Sequence, residues 1–238
     1  MPGQKVASCL DQFRVGRADC RHCQSRAPVP FGRLESRRYA GTLFRIQGYH
    51  VDPGVDLVTA GEEADALFTL REGFVKVWHP DGEGRARILR LLGPGDLVGM
   101  DAMFQPRYDN TATSVTAASL CRIPVSVMDQ LKTRESALYG ELESRMYRQM
   151  VHTENLLFDI ASGPARSRII KLLRHLGEFG DGDSCPRMNR ADMAAMTGVA
   201  SETAARVMAD LKESSLLDET AEHLYFDPET LSDLARKV

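Results

Sequence analysis

The spacing of apolar positions changes along the chain, and the first long stretch reads as β structure. Between residues 49 and 128, short apolar or alternating runs such as 66–70 and 74–78 are separated by corners rich in glycine and proline. Such runs are typical of strands. Further strands are predicted over 87–92 and 114–123. Short strands at this spacing predict a sandwich, jelly roll or barrel.

From residue 126 to 161 the spacing becomes helical. Positions at alternating steps of four and three form one seam, made of Leu142, Met146, Gln149, Thr153, Leu156 and Ile160, with Met150 and Leu157 beside it. A narrow seam on a long helix predicts a partner helix, and polar seam positions can fix the register of the pair. We therefore predict a homodimer through these eight residues. Packing of the seam on the chain's own β domain is the alternative.

Two short helical segments meet between residues 190 and 207. Gly198 stands where a tight turn needs a positive φ, and Ser201 can cap the second helix. Small apolar residues on both sides can form one core: Met193, Met196, Val199, Ala204 and Val207. This spacing is typical of a helix–turn–helix, and strands expected near 216–217 and 224–226 would form a wing.

The second of these helices carries candidate DNA contacts. Glu202 and Arg206 lie one turn apart on one face. Arginine can bond guanine with two hydrogen bonds, and glutamate can accept one from cytosine. An exposed ion pair is the alternative. The predicted contact set is Ser201, Glu202, Thr203, Ala205 and Arg206. Because residues 163–238 carry more acidic than basic side chains, binding is expected to depend on dimerisation.

Composition narrows the class of protein. The 238 residues are 43% hydrophobic and 26% charged, with a net charge of −3, which is ordinary for a chain of one or two globular domains. No apolar window suits a membrane span, and no secretory signal opens the chain, so a cytoplasmic location without a membrane partner is expected. We find no nucleophile–base pair, phosphate-binding glycine loop or zinc-hydrolase motif, and therefore predict no enzyme activity.

Three of the five cysteines, Cys9, Cys20 and Cys23, lie close to the N-terminus. An odd number of cysteines in a reducing setting argues against a disulfide framework. The Cys20–Cys23 spacing lets two thiolates hold one metal or cluster. Residues 1–48 carry nine Lys/Arg and three Asp/Glu, a balance of +6. Such a basic segment could balance a bound anion or face phosphate, and a solvated surface is the alternative.

The order of β-roll, long helix and winged helix–turn–helix resembles the CRP/FNR family of bacterial transcription regulators. The run from Glu202 to Arg206 resembles the family's recognition motif Glu-x-x-(Ser/Gly)-Arg, with Ala205 departing from both branches. The run Gly95–Ala102 looks like the FNR branch. The stretch Asn110–Ser114 lacks the arginine that binds a cyclic-nucleotide phosphate in the CRP branch.

The resemblance implies an α+β chain. Its parts would be an N-terminal double-stranded β-helix (a jelly roll like that of cyclic-nucleotide-binding domains), a long dimerisation helix and a C-terminal winged helix–turn–helix. The expected boundaries are a cysteine-bearing sensor arm over 1–30, the β-roll over 31–130, the dimerisation helix over 131–162 and the DNA-binding domain over 163–238.

The resemblance also implies a cofactor. The stretch Cys121–Pro124 is similar to the Cys-x-Ile-Pro stretch that carries the distal cluster ligand in oxygen-sensing FNR proteins. Cys20 and Cys23 match two ligands of the arm, and Cys9 is the expected substitute for the third. The alternatives are a fourth ligand from His22 or from outside the chain, and a Cys121 that is only a buried strand residue. Four thiolates are the number that a 4Fe–4S iron–sulfur cluster requires. Zinc, which four thiolates would also suit, is the lesser alternative.

The function so implied is a DNA-binding regulator that senses oxygen, redox state or nitric oxide. The cluster would control homodimerisation, and with it binding to a palindromic operator in double-stranded DNA. RNA polymerase is a partner by the same resemblance. The competing hypothesis is a regulator of this family without a metal, which responds to a small effector in the β-roll.

Overall fold

The computed structural model describes residues 9–17, 45–80, 86–134, 136–179 and 182–236. Cys20, Cys23 and the larger part of the arm lie outside the described residues. The chain divides into two compact units. The first unit comprises residues up to 79 together with 90–149, and the second comprises 80–89 together with 150–238.

Two antiparallel sheets build the β-roll. The described strands are β1 (Arg14–Arg17), β2 (Gln47–Val51), β3 (Asp56–Val58), β4 (Ala66–Glu72), β5 (Val75–Pro80), β6 (Ala86–Leu92), β7 (Leu97–Val98), β8 (Thr111–Ser114) and β9 (Ala118–Pro124). One sheet has the order β1-β2-β9-β4-β7 and the other β3-β8-β5-β6. Side chains of both sheets, among them Phe68, Val77 and Leu120, meet in the core between them.

The strand predicted over 114–123 is in fact two strands. β8 and β9 belong to different sheets, and the chain crosses between them at residues 115–117. Val115 N donates to Phe74 O over 2.8 Å, and Phe74 N donates to Thr116 Oγ1 over 3.0 Å. Gly73, with φ +84°, packs so closely that a Cβ there would lie 2.3 Å from Ala117 O. The sequence gives no sign of this corner, because residues 114–123 contain neither glycine nor proline.

Two helices cover the outer face of the five-stranded sheet. α1 spans Val125–Arg134 and α2 spans Ser136–Ile160, so the single helix predicted over 126–161 corresponds to two segments. Short 3₁₀ helices span Cys9–Phe13 and Met100–Met103. A second core forms where sheet and helices meet, and its buried members include Leu67, Ile123, Met128 and Leu142.

The second unit is mostly helical. Its elements are α3 (Ala165–Gly177), β10 (Ser184–Pro186), α4 (Arg190–Thr197), α5 (Ser201–Glu213), β11 (Asp218–Glu219), β12 (His223–Tyr225) and α6 (Pro228–Arg236). The three strands pair in the order β10-β12-β11. The wing strand predicted at 216–217 starts two residues later, because Leu216 N still bonds Leu211 O at the end of α5. The α+β fold class, with jelly roll and winged helix–turn–helix, is confirmed.

Candidate functional site

The turn between α4 and α5 is fixed at both ends by local chemistry. Asn189 caps α4, since its Oδ1 accepts from Asp192 N over 2.8 Å. Gly198 ends α4 with φ +65°, which confirms the predicted left-handed turn. Arg168 of α3 donates from Nη1 to Thr197 O over 2.7 Å. These bonds set the angle at which α5 leaves the turn.

Buried side chains hold α5 in place from beneath. Met193, Met196 and Ala204 are buried as expected, as is Val207, whereas Val199 is half-buried. The predicted capping role of Ser201 is wrong. Ala200 has the extended backbone of an N-cap, with φ −71° and ψ 148°, so Ser201 already lies inside the helix.

The predicted DNA-contact residues share the outward face of α5. Ser201, Glu202, Ala205 and Arg206 are exposed, and Thr203 is half-buried. Helical geometry places the four exposed residues within an arc of about 140°. The first two turns of α5 therefore present acceptors and a guanidinium outward, which is the arrangement a recognition helix needs.

A charged cluster beside this helix was missed by sequence reasoning. Glu219 of β11 has a side chain only 10% exposed, and its carboxylate forms ion pairs with Arg187 Nε at 2.6 Å and with Arg190 Nη2 at 3.5 Å. Lys212 at the end of α5 pairs with the same carboxylate. Desolvation, and then the charges of Arg190 and Arg187, lower the pKa of Lys212. Three cations around one carboxylate leave an excess of positive charge beside α5, and no spacing in the sequence signals it.

The long helix α2 buries most of the predicted dimer seam within its own protomer. Leu142, Gln149, Leu156 and Ile160 are at most 5% exposed. Met146 and Thr153 are half-buried. Four of the eight residues predicted to face a partner helix are therefore buried within the protomer, and the interface itself stays a prediction. For Leu142 and Met146 the chain's own β domain, the alternative considered above, is the packing partner.

A different stripe of α2 stays exposed. Tyr147 is 63%, Met150 50%, Leu157 47% and Phe158 81% exposed. These four residues fall within an arc of about 100°, roughly a third of a turn from the buried seam. Met150 and Leu157, two of the predicted interface residues, belong to this exposed stripe. A stripe of four large apolar side chains is unusual for a helix facing only water.

Two polar side chains of α2 form hydrogen bonds to the main chain at the edge of the sheet. The Gln149 amide donates from Nε2 to Leu97 O over 3.0 Å and accepts from Leu97 N over 3.2 Å. Arg145 donates from Nη1 to Gly95 O over 2.9 Å. Burial is the main reason that the pKa of Arg145 is lowered. The Gln149 side-chain amide thus takes the place of a neighbouring strand, because it satisfies both main-chain hydrogen-bonding groups of Leu97 at the edge of the sheet.

Cys121 lies on the outer face of the five-stranded sheet, in the core beneath α1 and α2, and is 3% exposed. Paired residues in antiparallel strands point to the same face. On one side of Cys121, the paired residues on β2 and β1 are Gly48 and Gly16. On the other side, the paired residue on β4 is Thr69. Cys121 is therefore flanked on its β2 side by two positions without side chains.

One buried atom of this row favours an additional hydrogen-bonding group there. The Thr69 hydroxyl is buried and has no hydrogen-bond partner among the described residues. A Cβ at Gly48 would have one side chain within 4 Å, that of Val15, which is 62% exposed. A buried hydroxyl is costly to the fold unless some group accepts a hydrogen bond from it. Cys9, at the start of the 3₁₀ helix before β1, lies on the same N-terminal segment.

Two family models match the chain. The cyclic nucleotide-binding domain matches residues 50–135, and the Crp-like helix-turn-helix domain matches residues 167–234. The chain belongs to the CRP/FNR family of DNA-binding transcription regulators. Because this family consists of regulators and not of enzymes, the prediction of no enzyme activity is confirmed. Within the described residues, no helix has the length and apolarity needed to cross a bilayer.

Curated relatives of this CRP/FNR regulator include proteins named for anaerobic control. The fumarate and nitrate reduction regulatory protein of Vibrio cholerae is 24% identical over 206 residues, covering 82% of each chain. The anaerobic regulatory protein of Pasteurella multocida is 22% identical over 188 residues, covering 76% of this chain and 67% of the relative. At these identities, their names describe the relatives and not this chain.

Solved structures show the same fold. A CRP-family transcriptional regulator from Thermus thermophilus has a TM-score of 0.67 at 25% identity, covering 79% of this chain and 96% of the other. FixK2 from Bradyrhizobium japonicum has a TM-score of 0.70 at 17% identity, with the same coverage.

The β-roll of this CRP/FNR regulator uses its hydroxyl groups internally. Thr113 donates to Asp56 Oδ1 over 2.5 Å, and Ser114 donates to Asp52 O over 2.6 Å. Arg107 donates to Gly61 O over 2.5 Å. The side chains nearest the family's nucleotide-binding stretch are thus already engaged with the roll itself.

Proposed function

We propose that this regulator carries an iron–sulfur cluster on Cys9, Cys20, Cys23 and Cys121, and that the cluster makes DNA binding respond to oxygen, redox state or nitric oxide. The observation that carries the proposal is the row of paired residues Gly16, Gly48, Cys121 and Thr69. It offers one thiol, two glycine positions on its β2 side with the Val15 side chain beside Gly48, and a Thr69 hydroxyl without a hydrogen-bond partner among the described residues. When bound, such a cluster would supply redox chemistry and sensitivity to oxygen.

The reach of the N-terminal segment supports this ligand set. Gly16 lies two strands from Cys121, which corresponds to about 10 Å. Cys20 is three positions after Arg17, the end of β1, and an extended chain of three residues spans about 10 Å. Cys23, six residues on, can reach about 20 Å. The start of the arm is therefore anchored close enough for both thiols to approach Cys121.

The chain's own contacts connect this row to α2. Thr69 pairs with Leu97 on β7, and the main chain of Leu97 is bonded by Gln149 of α2. Leu142 of α2 packs in the same core as Cys121. A displacement of β9 would thus be passed to α2 through the sheet edge and through this core.

We further propose that two copies associate through the exposed stripe of α2, namely Tyr147, Met150, Leu157 and Phe158. Glu154 is exposed and falls within the same arc of the helix. In a symmetric pair, both copies would bring this carboxylate to the interface, and the repulsion opposes association. Asp159 is partly balanced by Lys171, 3.8 Å away. A cluster that favours one packing of α2 would overcome this repulsion.

In such a dimer, the exposed face of α5 would read a palindromic operator in double-stranded DNA. The two recognition helices must lie about 34–36 Å apart to enter successive major grooves. Arg206 is proposed to bond guanine and Glu202 to accept from cytosine. RNA polymerase is the expected partner by family resemblance.

The test is purification without oxygen, followed by an absorption spectrum, an iron and sulfide assay, and DNA binding. The duplex is selected from a random library with the same protein. Cys20→Ala, Cys23→Ala and Cys121→Ala are expected to lose iron and specific DNA binding together, while Cys185→Ala keeps both. Cys9→Ala tests the fourth ligand separately.

Colourless wild-type protein that binds its selected duplex as tightly as the three variants would contradict the cluster. Zinc found in place of iron and sulfide would also contradict it, and would support the zinc alternative. Neither result would affect the assignment of α5 as the DNA-reading helix.

A further inference from the structure

Three side chains meet where the second half of α2 packs on α3. His152 Nε2 lies 3.2 Å from Glu178 Oε2, and His175 Nδ1 lies 3.8 Å from the same oxygen. One ligand atom from each residue can be chosen so that all three lie within 4.8 Å of one another. The two imidazole rings stack with centroids 4.0 Å apart. All three residues belong to the second unit.

The surroundings of His175 suit a neutral imidazole. His175 is 5% exposed, and Phe179 packs edge-on against both rings at 4.9 and 5.9 Å. Burial, with a smaller effect of His152, lowers the pKa of His175 to about 3. A neutral ring is the form that binds metals. Glu178, at 57% exposure, keeps one side of the cluster open to solvent.

We propose that His152, His175 and Glu178 bind a divalent transition-metal ion, zinc or an ion of similar chemistry, and so join α2 to α3. Two imidazoles and one carboxylate form a recognised ligand set for zinc and for ferrous iron, with further positions open to water. Hard ions such as magnesium and calcium prefer a larger set of oxygen ligands. The site shares no residue with the cysteine set and is independent of the proposed cluster.

The geometry needs only a small adjustment to accept the ion. Ligands about 2.0–2.2 Å from tetrahedral zinc lie about 3.4 Å from one another. The His152–Glu178 and His175–Glu178 distances are already within 0.5 Å of that value. His175 and Glu178 lie one turn apart at the end of α3, so one face of that helix presents both. Rotation of His152 on α2 would close the remaining distance.

A bound ion would cross-link two helices that are otherwise held by packing and ion pairs. α2 carries the proposed dimer stripe, and α3 carries Arg168, which bonds the end of α4. Metal binding would therefore stabilise the packing of α2 against the DNA-binding helices. It would also raise the thermal unfolding temperature, because an ion that binds only the folded state stabilises it.

The experiment titrates the full chain with Zn²⁺ in competition with a chromophoric chelator, and with Co²⁺ followed by absorption. The background is Cys20→Ala/Cys23→Ala, which removes the paired thiols. We expect one zinc equivalent and a cobalt spectrum without thiolate-to-cobalt charge-transfer bands. His152→Ala and Glu178→Gln change half-buried or exposed groups, and each should weaken zinc binding roughly tenfold or more.

The matched control is His50→Ala, which removes an exposed histidine of β2. Its zinc affinity should equal that of the Cys20→Ala/Cys23→Ala protein in which it is made. Zinc should raise the unfolding temperature of the background protein and of this control, but not that of Glu178→Gln. Equal zinc affinity in the background, His152→Ala and Glu178→Gln would overturn the proposal. A cobalt spectrum dominated by sulfur charge transfer would overturn it as well.

Discussion

Gln149 allows the attachment of the long helix to the β-roll to be tested with one substitution. Its side-chain amide makes two hydrogen bonds to the main chain of Leu97, at 3.0 and 3.2 Å, and is 4% exposed. Gln149→Met keeps the length and flexibility of the side chain but removes both the donor and the acceptor. The edge of β7 then loses two partners, one for a buried N–H and one for a buried C=O.

The size of the effect follows from these two groups. Leaving one buried polar group without a partner costs about 1–3 kcal/mol. A part of this loss is recovered because burying the apolar methionine side chain is more favourable than burying the polar glutamine side chain. We therefore expect Gln149→Met to lower the free energy of unfolding by about 2–4 kcal/mol. Because small domains are stable by about 5–15 kcal/mol, a loss of this size is readily measured.

The assay is urea unfolding followed by tryptophan fluorescence. Trp78 is the single tryptophan of the chain and lies in β5, where its Nε1 donates to Thr113 Oγ1 over 2.8 Å. Fluorescence therefore reports on the β-roll unit. Arg148→Met, at an exposed position of the same helix, is the control and should change stability by less than about 0.5 kcal/mol. A loss below about 0.5 kcal/mol in Gln149→Met would refute the role assigned to Gln149.

Three further predictions concern the roll, the dimer and the DNA. The buried Tyr108 hydroxyl donates to Ala66 O, and burial raises the pKa of Tyr108 to about 12; Tyr108→Phe should cost about 1–2 kcal/mol in urea unfolding at pH 8. This stabilisation is complete below about pH 10 and is lost as the pH rises through about 12, so an equal difference between the two proteins at pH 8 and pH 11 would contradict it. Glu154→Ala should tighten self-association of cluster-free protein by about 0.5–1 kcal/mol in sedimentation equilibrium, and unchanged or weaker association would argue against the α2 stripe. Arg206→Ala should weaken operator binding by about 1–3 kcal/mol in fluorescence anisotropy and relax one base preference, whereas loss of affinity with unchanged preference would exclude base readout by this residue.

The order of the domains could be predicted from the sequence because each depends on local spacing. The alternating strands, the Gly198 turn and the outward position of Glu202 and Arg206 all follow from contacts between residues close in sequence. Such contacts are visible in the sequence as a repeating spacing of apolar residues or as a turn residue at a fixed position. The same reasoning placed Cys121 on a strand, and it is the fourth residue of β9.

The face of α2 that stays exposed could not be predicted in this way. A heptad seam reports that one side of the helix is buried, but it does not report what buries it. Leu142 and Gln149 are used by the protomer's own sheet, and the exposed stripe around Phe158 follows a similar period at another angle. Only the position of the helix on the sheet distinguishes the two faces.

The clusters around Glu219 and around His175 escaped prediction for a related reason. Their members come from separate elements, and each is an ordinary surface residue type when taken alone. His152 and His175 lie 23 positions apart, so no short spacing connects them. The packing of α2 on α3 brings them together.

The most direct test of the account is the affinity for the selected operator before and after exposure of one oxygen-free preparation to air. Fluorescence anisotropy at a single salt concentration gives both values, and Cys121→Ala serves as the reference. We predict that air weakens wild-type binding roughly 5- to 150-fold, the usual range of coupling between two sites, and brings it to the level of the variant. Wild-type affinity that is unchanged by air and equal to that of Cys121→Ala would contradict control by a cysteine-bound centre.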